Sequence, residues 1–444
     1  MRKSIPVKYL LLADILLASG MAGWELLSTN QLVSALIVLL SVLIAASPLA
    51  YAVCSPVVLY FAKQNAEKEN IAVGRPSALS RLCKIDTLVV GKSGTITEGD
   101  PFITDLIPEG LLQSTLLSLA ASAEEGSRHP IARVICRTAA ERDIRVYPAS
   151  AFNEIPGCGV EALMNGTSLR VGRTKWLQEN KARISANLLT KVDQLACRGK
   201  IPLIVCEGKN AKGIIALEDP IEPAIPSTVR RLAKLGIGTI MLTGDSQRTA
   251  SAIAKSASLA AARANLTPAG KAREVQLMRT RGCTIAMAGI PELDEEAFAE
   301  ADLSIVLGKP PKEIIGDVST MNLMDIKDEE DMGELEKNEL QIRRELSEMR
   351  IEKGMAALKE RKADILLPQG LPQILVILDI AKKAQELILQ NRRIAYLTWL
   401  LLIPPATGLL TIFEDPLLLP LTAFAGMLAA TLLIIGNSLR MRNG

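Results

Sequence analysis

The residues that could do chemistry in this 444-residue chain sit at the ends of short apolar runs. Leu88-Val89-Val90 leads straight into Gly91-Lys92-Ser93-Gly94-Thr95-Ile96-Thr97. A β-branched run that ends in a Gly-rich loop carrying Lys, Ser and Thr suits a phosphate site at the C-terminal end of a parallel strand. Thr239-Ile240-Met241-Leu242 ends in the same manner, at Thr243-Gly244-Asp245. Other chemistries are excluded. The chain has one His, so a His-rich metal site is impossible, and its seven Cys are scattered with no C-x-x-C, which reads as free thiols. The net charge of +3 is small and forms no basic patch, so no nucleic-acid partner is expected.

The elements that must position these groups fall into membrane and α/β segments. Apolar residues make up 49% of the chain and the mean hydropathy is +0.24, too apolar for an ordinary soluble protein. Residues 7–27 are long and apolar enough to span a bilayer, and Arg2, Lys3 and Lys8 favour a cytoplasmic N-terminal side. Asp14 within that run argues against a cleaved signal peptide. An acid at that depth should face other helices, either as a functional group or as a hydrogen-bonded packing residue. The run from Leu32 to Ala62 is longer than one span needs, and Pro48 and Pro56 should break its hydrogen-bond ladder. Helices and short strands alternate from 103 to 213. An α/β pattern returns over 214–308, with strands at Ile214–Leu217 and Thr239–Leu242 and a helix carrying Thr249, Ile253 and Ala257 on one face. Residues 326–362 are rich in charges of both signs around a ragged apolar stripe. They read as a long solvated helix or coiled-coil arm, or as an extension that partly disorders. A basic amphipathic helix with Lys382, Lys383, Arg392 and Arg393 leads to two more apolar runs, 394–413 and 416–436. The distribution of Lys and Arg fits four spans with the large domains in the cytoplasm.

Taken together these segments resemble the heavy-metal-transporting P-type ATPases, over nearly all of the chain except about 310–362. That family's phosphorylation loop reads D-K-T-G-T-L-T where this chain reads Gly91-Lys92-Ser93-Gly94-Thr95-Ile96-Thr97. Glu124-Glu125-Gly126-Ser127-Arg128-His129-Pro130 resembles the family's S-E-H-P region, with Arg128 in place of the motif Glu, and Pro156-Gly157-Cys158-Gly159-Val160 its G-x-G-V turn. Met241 to Ala254 resembles the second phosphate-binding segment. Ile285-Ala286-Met287-Ala288-Gly289-Ile290-Pro291-Glu292-Leu293-Asp294 stands where the family reads V-A-M-V-G-D-G-I-N-D.

The resemblance implies an α/β HAD-like, doubly wound phosphorylation-type domain (63–102, 214–322 and 363–380), interrupted by an α+β nucleotide-binding domain (103–213). It also implies a charged helical insertion (323–362) and a four-helix transmembrane region (1–62 and 381–444). It implies that Glu124 and His129 contact adenine, that Gly157 and Gly159 let backbone approach the nucleotide, that Thr243 holds a phosphate oxygen and that Lys271 supplies charge. Lys92, Ser93, Thr95, Gly244 and Asp245 would be remnants of the phosphate site. ATP or ADP is the implied cofactor. The nucleophile position is Gly91, which has no side chain and cannot form an aspartyl-phosphate. The magnesium Asp and motif Asn are Ile290 and Leu293, with Asp294 as a remnant, so magnesium should bind weakly or not at all. In the membrane, a cysteine-proline-cysteine motif is replaced by Ser47-Pro48-Leu49, which leaves Met427 as the surviving sulfur.

Two readings follow from the resemblance. The first is a truncated, catalytically degenerate pump homologue acting as regulator or scaffold, with a protein partner at 326–362. The second is one part of a split cation transporter whose actuator domain is supplied by another chain.

Overall fold

The structure is a computed structural model, which describes residues 7–127, 129–155, 157–308, 348–349, 351–360, 362–407 and 418–442. It forms two compact units, Met1–Cys83 with Val376–Gly444, and Lys84–Leu375.

In the first unit the helix Val7–Thr29 turns at Asn30, which takes a left-handed conformation (φ 53°), into the helix Leu32–Ala45. The expected break follows. Pro48 has no N–H to give to Ile44, the helix stops at Ala45, and the chain restarts as Leu49–Val53 and then Pro56–Lys68. Small side chains bring the helices close: Ala18, Val38, Val42, Ala45, Ala406 and Ala423 form one buried cluster. Asn391, fully buried, donates to Ser438 Oγ (2.9 Å) and accepts from Asn437 Nδ2 (2.8 Å). Among the described residues, Tyr9–Thr29, Leu32–Lys68 and Leu418–Met441 are long and apolar enough to cross a membrane. The expected amphipathic helix and the run 394–413 are not separate elements. One helix, Ile374–Ala406, carries both the basic residues and the apolar residues that follow. Residues 408–417 lie outside the described part.

The second unit contains two sheets. In the parallel sheet the strands lie in the order Ile365–Leu367, Leu303–Leu307, Ile285–Gly289, Thr87–Val90, Gly238–Leu242, Ala261–Arg263. Every residue of Thr87–Val90, Ile285–Gly289 and Leu303–Leu307 is buried, as strands covered on both faces require. Chain order runs outward in both directions from Thr87–Val90. The crevice beyond its C-terminal end is therefore the topological switch point, where α/β sheets place their ligands. Gly91, Thr243 and Ile290 follow directly on the three central strands, so they meet at that crevice.

The other sheet is antiparallel, ordered Phe102–Pro108, Asn210–Glu218, Ile201–Glu207, Thr167–Gly172, Gly159–Met164, Ser150–Ile155. This corrects one expectation. Ile214–Leu217 is a strand, but it belongs to Asn210–Glu218 in the inserted sheet and not to the parallel one. Its unbroken apolar run has a different cause. Ile215 and Leu217 pack with the Gln113–Glu124 side, and Ile214 and Ala216 pack on the other face with Trp176, Leu188 and Leu195.

The charged segment is described only near its end. Residues 309–347 lie outside the described part, but 351–359 are helical. One face of this stretch is covered and the rest is exposed or half-buried. A Cβ on Gly354 would lie 2.7 Å from Leu366 Cδ1 and 3.2 Å from Val306 Cγ1, so this helix rests on the strands Leu303–Leu307 and Ile365–Leu367. The reason is topological: two adjacent parallel strands need a crossover, and a helix on the sheet face supplies it.

Candidate functional site

Gly91 N donates to Ala288 O (3.1 Å), which extends the parallel pairing by one residue before the loop turns. The loop then folds back on the Lys92 carbonyl, which accepts from the backbone N–H groups of Thr95 (3.2 Å), Ile96 (2.9 Å) and Thr97 (3.1 Å). Asp219 clamps the far end, accepting from Thr97 Oγ1 (2.6 Å) and Gly99 N (2.8 Å). Sequence reasoning did not assign this role to Asp219. The available signal was an acid at a strand end before Pro220.

Two ion pairs fill the crevice. Lys92 Nζ, on a buried side chain, lies 2.6 Å from Oδ2 of the half-buried Asp245. Burial pushes the Asp245 carboxyl up, but Lys92, Arg173 and Lys271 outweigh it and hold the carboxyl below its ordinary value. Lys271 Nζ lies 2.7 Å from Asp294 Oδ1 and also donates to Leu293 O (3.3 Å). Asp294 Oδ2 accepts from Ile290 N (3.3 Å) at the start of the helix Pro291–Glu300. Burial raises the Asp294 carboxyl, and Lys271 opposes the rise.

The position of Asp294 decides what this crevice can do. A Cβ on Gly91 would meet Asp294 Oδ2 at 2.7 Å, and a Cβ on Gly289 would meet it at 2.3 Å. The carboxylate occupies the space that a side chain at position 91 would need. Thr95 Oγ1 is buried beside it, without a hydrogen-bond partner, 3.4 Å from the same Cβ position. Thr243 is buried and its hydroxyl accepts from Asp245 N (3.1 Å), so it shapes the turn. Ser93 is half-buried. Asp86 is not a substitute nucleophile. It sits before the strand and accepts from Thr284 N (3.0 Å) and Thr87 Oγ1 (2.7 Å).

These residues do not fit a magnesium ion. Magnesium requires octahedral oxygen donors. Ile290 is buried and apolar, Leu293 is an exposed apolar side chain, Gly91 has no donor, and the oxygens of Asp294 are taken by Lys271 and Ile290 N. In the membrane unit Ser47 lies at the helix break, its carbonyl accepting from Trp399 Nε1 (3.2 Å), while Leu49 is exposed and Met427 half-buried. Among the described residues no group of three or more His, Cys, Asp or Glu could hold a metal.

The inserted domain carries a cleft of about 100 Å³ that brings together Glu124, His129, Gly157 and Gly159 with Glu154, Arg173 and Asp245. Glu124 is buried, and burial together with nearby Glu154 pushes its carboxyl up to about 8. His129 starts the helix Pro130–Glu141, and its Nδ1 accepts from Ile131 N (3.2 Å). That hydrogen bond assigns the neutral ring its proton on Nε2. The two glycines differ in kind. Gly157 has φ +76° and open space where a Cβ would be. At Gly159, which also lines the cleft, a Cβ would strike the Val171 carbonyl oxygen and the Trp176 ring, so glycine there is required by the packing of strand on strand. Arg128 and Pro156 lie outside the described residues. Arg173, which no motif signalled, reaches from this domain to the crevice, where it donates to Gly244 O and lies 3.4 Å from Asp245 Oδ1.

A family model for haloacid dehalogenase-like hydrolases matches residues 85–302. A copper-exporting P-type ATPase of Legionella pneumophila is 33% identical over 286 residues, 64% of this chain and 39% of that protein. A silver exporting P-type ATPase of Salmonella typhimurium is 29% identical over 415 residues, 92% of this chain and 44% of that protein. Similarity to heavy-metal P-type ATPases thus runs over nearly the whole chain. A crystal structure of a zinc-transporting PIB-type ATPase in an E2.Pi state superposes with a TM-score of 0.62 at 23% identity, covering 99% of this chain and 65% of that one. The fold is thus HAD-like with helices long and apolar enough to cross a membrane, as the resemblance implied, and the chain spans less than half the length of the two curated relatives.

Proposed function

We propose that this chain is a catalytically inactive member of its family, a pump homologue that works in the membrane as a regulator or scaffold and retains adenine-nucleotide binding. The observation that carries the proposal is the Asp294 carboxylate lodged against Gly91 and held by Lys271. The phosphorylation crevice has no nucleophile at its centre, and both its ammonium groups are balanced by internal carboxylates. It needs neither phosphate nor metal to be electrostatically complete.

The nucleotide would use the cleft of the inserted domain. Glu124, kept protonated at neutral pH by its surroundings, offers an O–H to a ring nitrogen, as a buried neutral carboxylic acid can. His129 offers Nε2–H, and the open backbone at Gly157 admits the ligand. Binding would require no magnesium. The spans and the positive-inside pattern support a multi-pass protein, most simply of the plasma membrane, with the large unit in the cytoplasm. Residues 326–362 are the proposed partner-binding segment.

The test is phosphorylation of the purified full chain with labelled ATP, followed by acid quench. No acid-stable phosphoenzyme is expected. Its appearance would overturn the inactive reading. Purification from native membrane separates the two roles: a co-purifying actuator-bearing chain would favour a subunit of a split cation transporter, and an unrelated protein the regulator.

A further inference from the structure

Asp14 is the buried acid of the helix Val7–Thr29, 7% exposed, and its Oδ1 has no hydrogen-bond partner. Its depth follows from the hairpin. Thr29 ends one helix and Leu32 begins the next, so residues equally distant from the turn lie level in the antiparallel pair. Asp14 is fifteen residues before Thr29 and Ser47 fifteen after Leu32, which at 1.5 Å per residue places both about 22 Å from the turn. The packing agrees. Ala18, one turn along, belongs to the cluster with Val42 and Ala45, and Leu10, one turn the other way, packs on the cluster with Ala50 and Tyr51. Asp14 therefore lies level with the break at Ala46–Pro48, where the helix ladder is interrupted.

The titratable groups on the packed elements are few. Leu32–Ala45 and Leu418–Ser438 carry none. Beyond the break stand Tyr51 and Cys54, whose thiol donates to Ala50 O (3.2 Å). The helix Ile374–Ala406 contributes Tyr396 and Arg392, which lies over the Tyr51 ring and against Ser55 Oγ (3.5 Å). Trp399 marks the level of Ser47, so Arg392, seven residues before it, is about 10 Å away along the axis. No second acid joins Asp14 to complete a metal site among the described residues. An unpaired carboxylate inside a bilayer is costly, and one oxygen pair cannot satisfy a metal cation that wants six or more donors.

We propose that Asp14 binds a proton inside the membrane, level with the helix break, and exchanges it with water. As a carboxylic acid it can donate to a carbonyl that the break leaves without its helical partner.

The experiment uses the full chain in lipid nanodiscs. Infrared spectroscopy should show a protonated carboxyl C=O band that shifts in D2O, is lost in Asp14→Asn and is kept in Asp14→Glu. Dicyclohexylcarbodiimide, which reacts with protonated buried carboxyls, should form an adduct mapped to Asp14, with a yield that falls as pH rises. An ionised carboxylate from pH 5 to 8, a band insensitive to D2O, or an adduct only at Glu25 would each overturn the proposal. The wild-type isotope shift stands even if Asp14→Asn fails to fold.

Discussion

Exchanging carboxylates between positions 91 and 294 probes the crevice most directly. Gly91→Ala puts a Cβ 2.7 Å from Asp294 Oδ2, a separation real side chains do not tolerate. The carboxylate must retreat by about half an ångström, yet it is held at 2.7 Å by Lys271 and at 3.3 Å by Ile290 N. Overpacking of this kind costs about 1–3 kcal/mol. Gly91→Asp is worse, because a second carboxylate enters the same space and displaces the first from Lys271. Asp294→Ala removes the obstruction but leaves Lys271, 12% exposed, without its counter-ion. Breaking a buried pair from either side costs roughly 3–5 kcal/mol.

The double variant Gly91→Asp/Asp294→Ala restores one carboxylate to one vacated space beside Lys271. Its cost should fall below the sum of the single variants by about 2–3 kcal/mol, the coupling expected of residues in direct contact. Urea titration of the full chain, read by hydrogen exchange of the buried Thr87–Val90 and Ile285–Gly289 amides, measures each corner of the cycle. Additivity within about 0.5 kcal/mol, or a neutral Gly91→Ala, would refute the claim that Asp294 fills the place of a side chain at 91.

Gly91→Asp should still form no acid-stable phosphoenzyme, because Ile290 and Leu293 give magnesium no oxygen; turnover by this variant would show that the crevice recruits other ligands. Stability should fall as pH rises from about 5 to 8, since Glu124 binds a proton in the folded state up to about 8 against an ordinary 4.5. At about 1.4 kcal/mol per unit the loss reaches a few kcal/mol. Asp294, also raised, adds to it, while Asp245 and Asp105, both lowered, act at more acid pH. Glu124→Gln should flatten the urea midpoint across that window, and an unchanged slope would exclude Glu124 as its source. His129→Ala should weaken ADP binding several-fold to thirty-fold, about 1–2 kcal/mol, by calorimetry; equal affinities would remove His129 from the site. Gly354→Val should lower the thermal midpoint by overpacking the Leu366 and Val306 contact, and an unaffected midpoint would mean the helix at 351–359 does not bear on the sheet.

Much of this was legible in the chain because strand ends announce themselves. Val90-Gly91, Leu242-Thr243 and Gly289-Ile290 each pass from an apolar run to a turn, and parallel pairing then brings the three ends together. Ile214–Leu217 was assigned to the wrong sheet for a physical reason. A central antiparallel strand covered on both faces has the same unbroken apolar pattern as a parallel one, and periodicity cannot separate them. In the segment after Gly308 the packing of residues 351–359 on the sheet was hidden by charge around one small residue. Gly354 permits close approach to the sheet, and a single glycine among charged neighbours carries no periodic signal. Arg173 was invisible because its partners, Gly244 and Asp245, are about seventy residues away in another sheet's crevice. Gly159 has a packing role that its motif did not signal, since Val171 and Trp176 leave no room for a side chain there.

The losses in the crevice are linked through one side chain. With glycine at position 91 no side chain of its own fills the buried space near the two lysines, and an empty polar space lined by ammonium groups is unstable. Asp294 can enter it because Gly289 also lacks a Cβ and because the Pro291–Glu300 helix starts directly beneath, with Ile290 N available as donor. Once Asp294 is engaged with Lys271, its oxygens are unavailable to a metal, and the apolar Ile290 and Leu293 meet no opposing demand for oxygen at their positions. Lys92 settles on Asp245 in the same way. Both ammonium groups of the crevice are thereby neutralised within the fold, while the cleft of the inserted domain, lined by Glu124, His129 and Gly157, is built from other residues and would stay available to the proposed nucleotide.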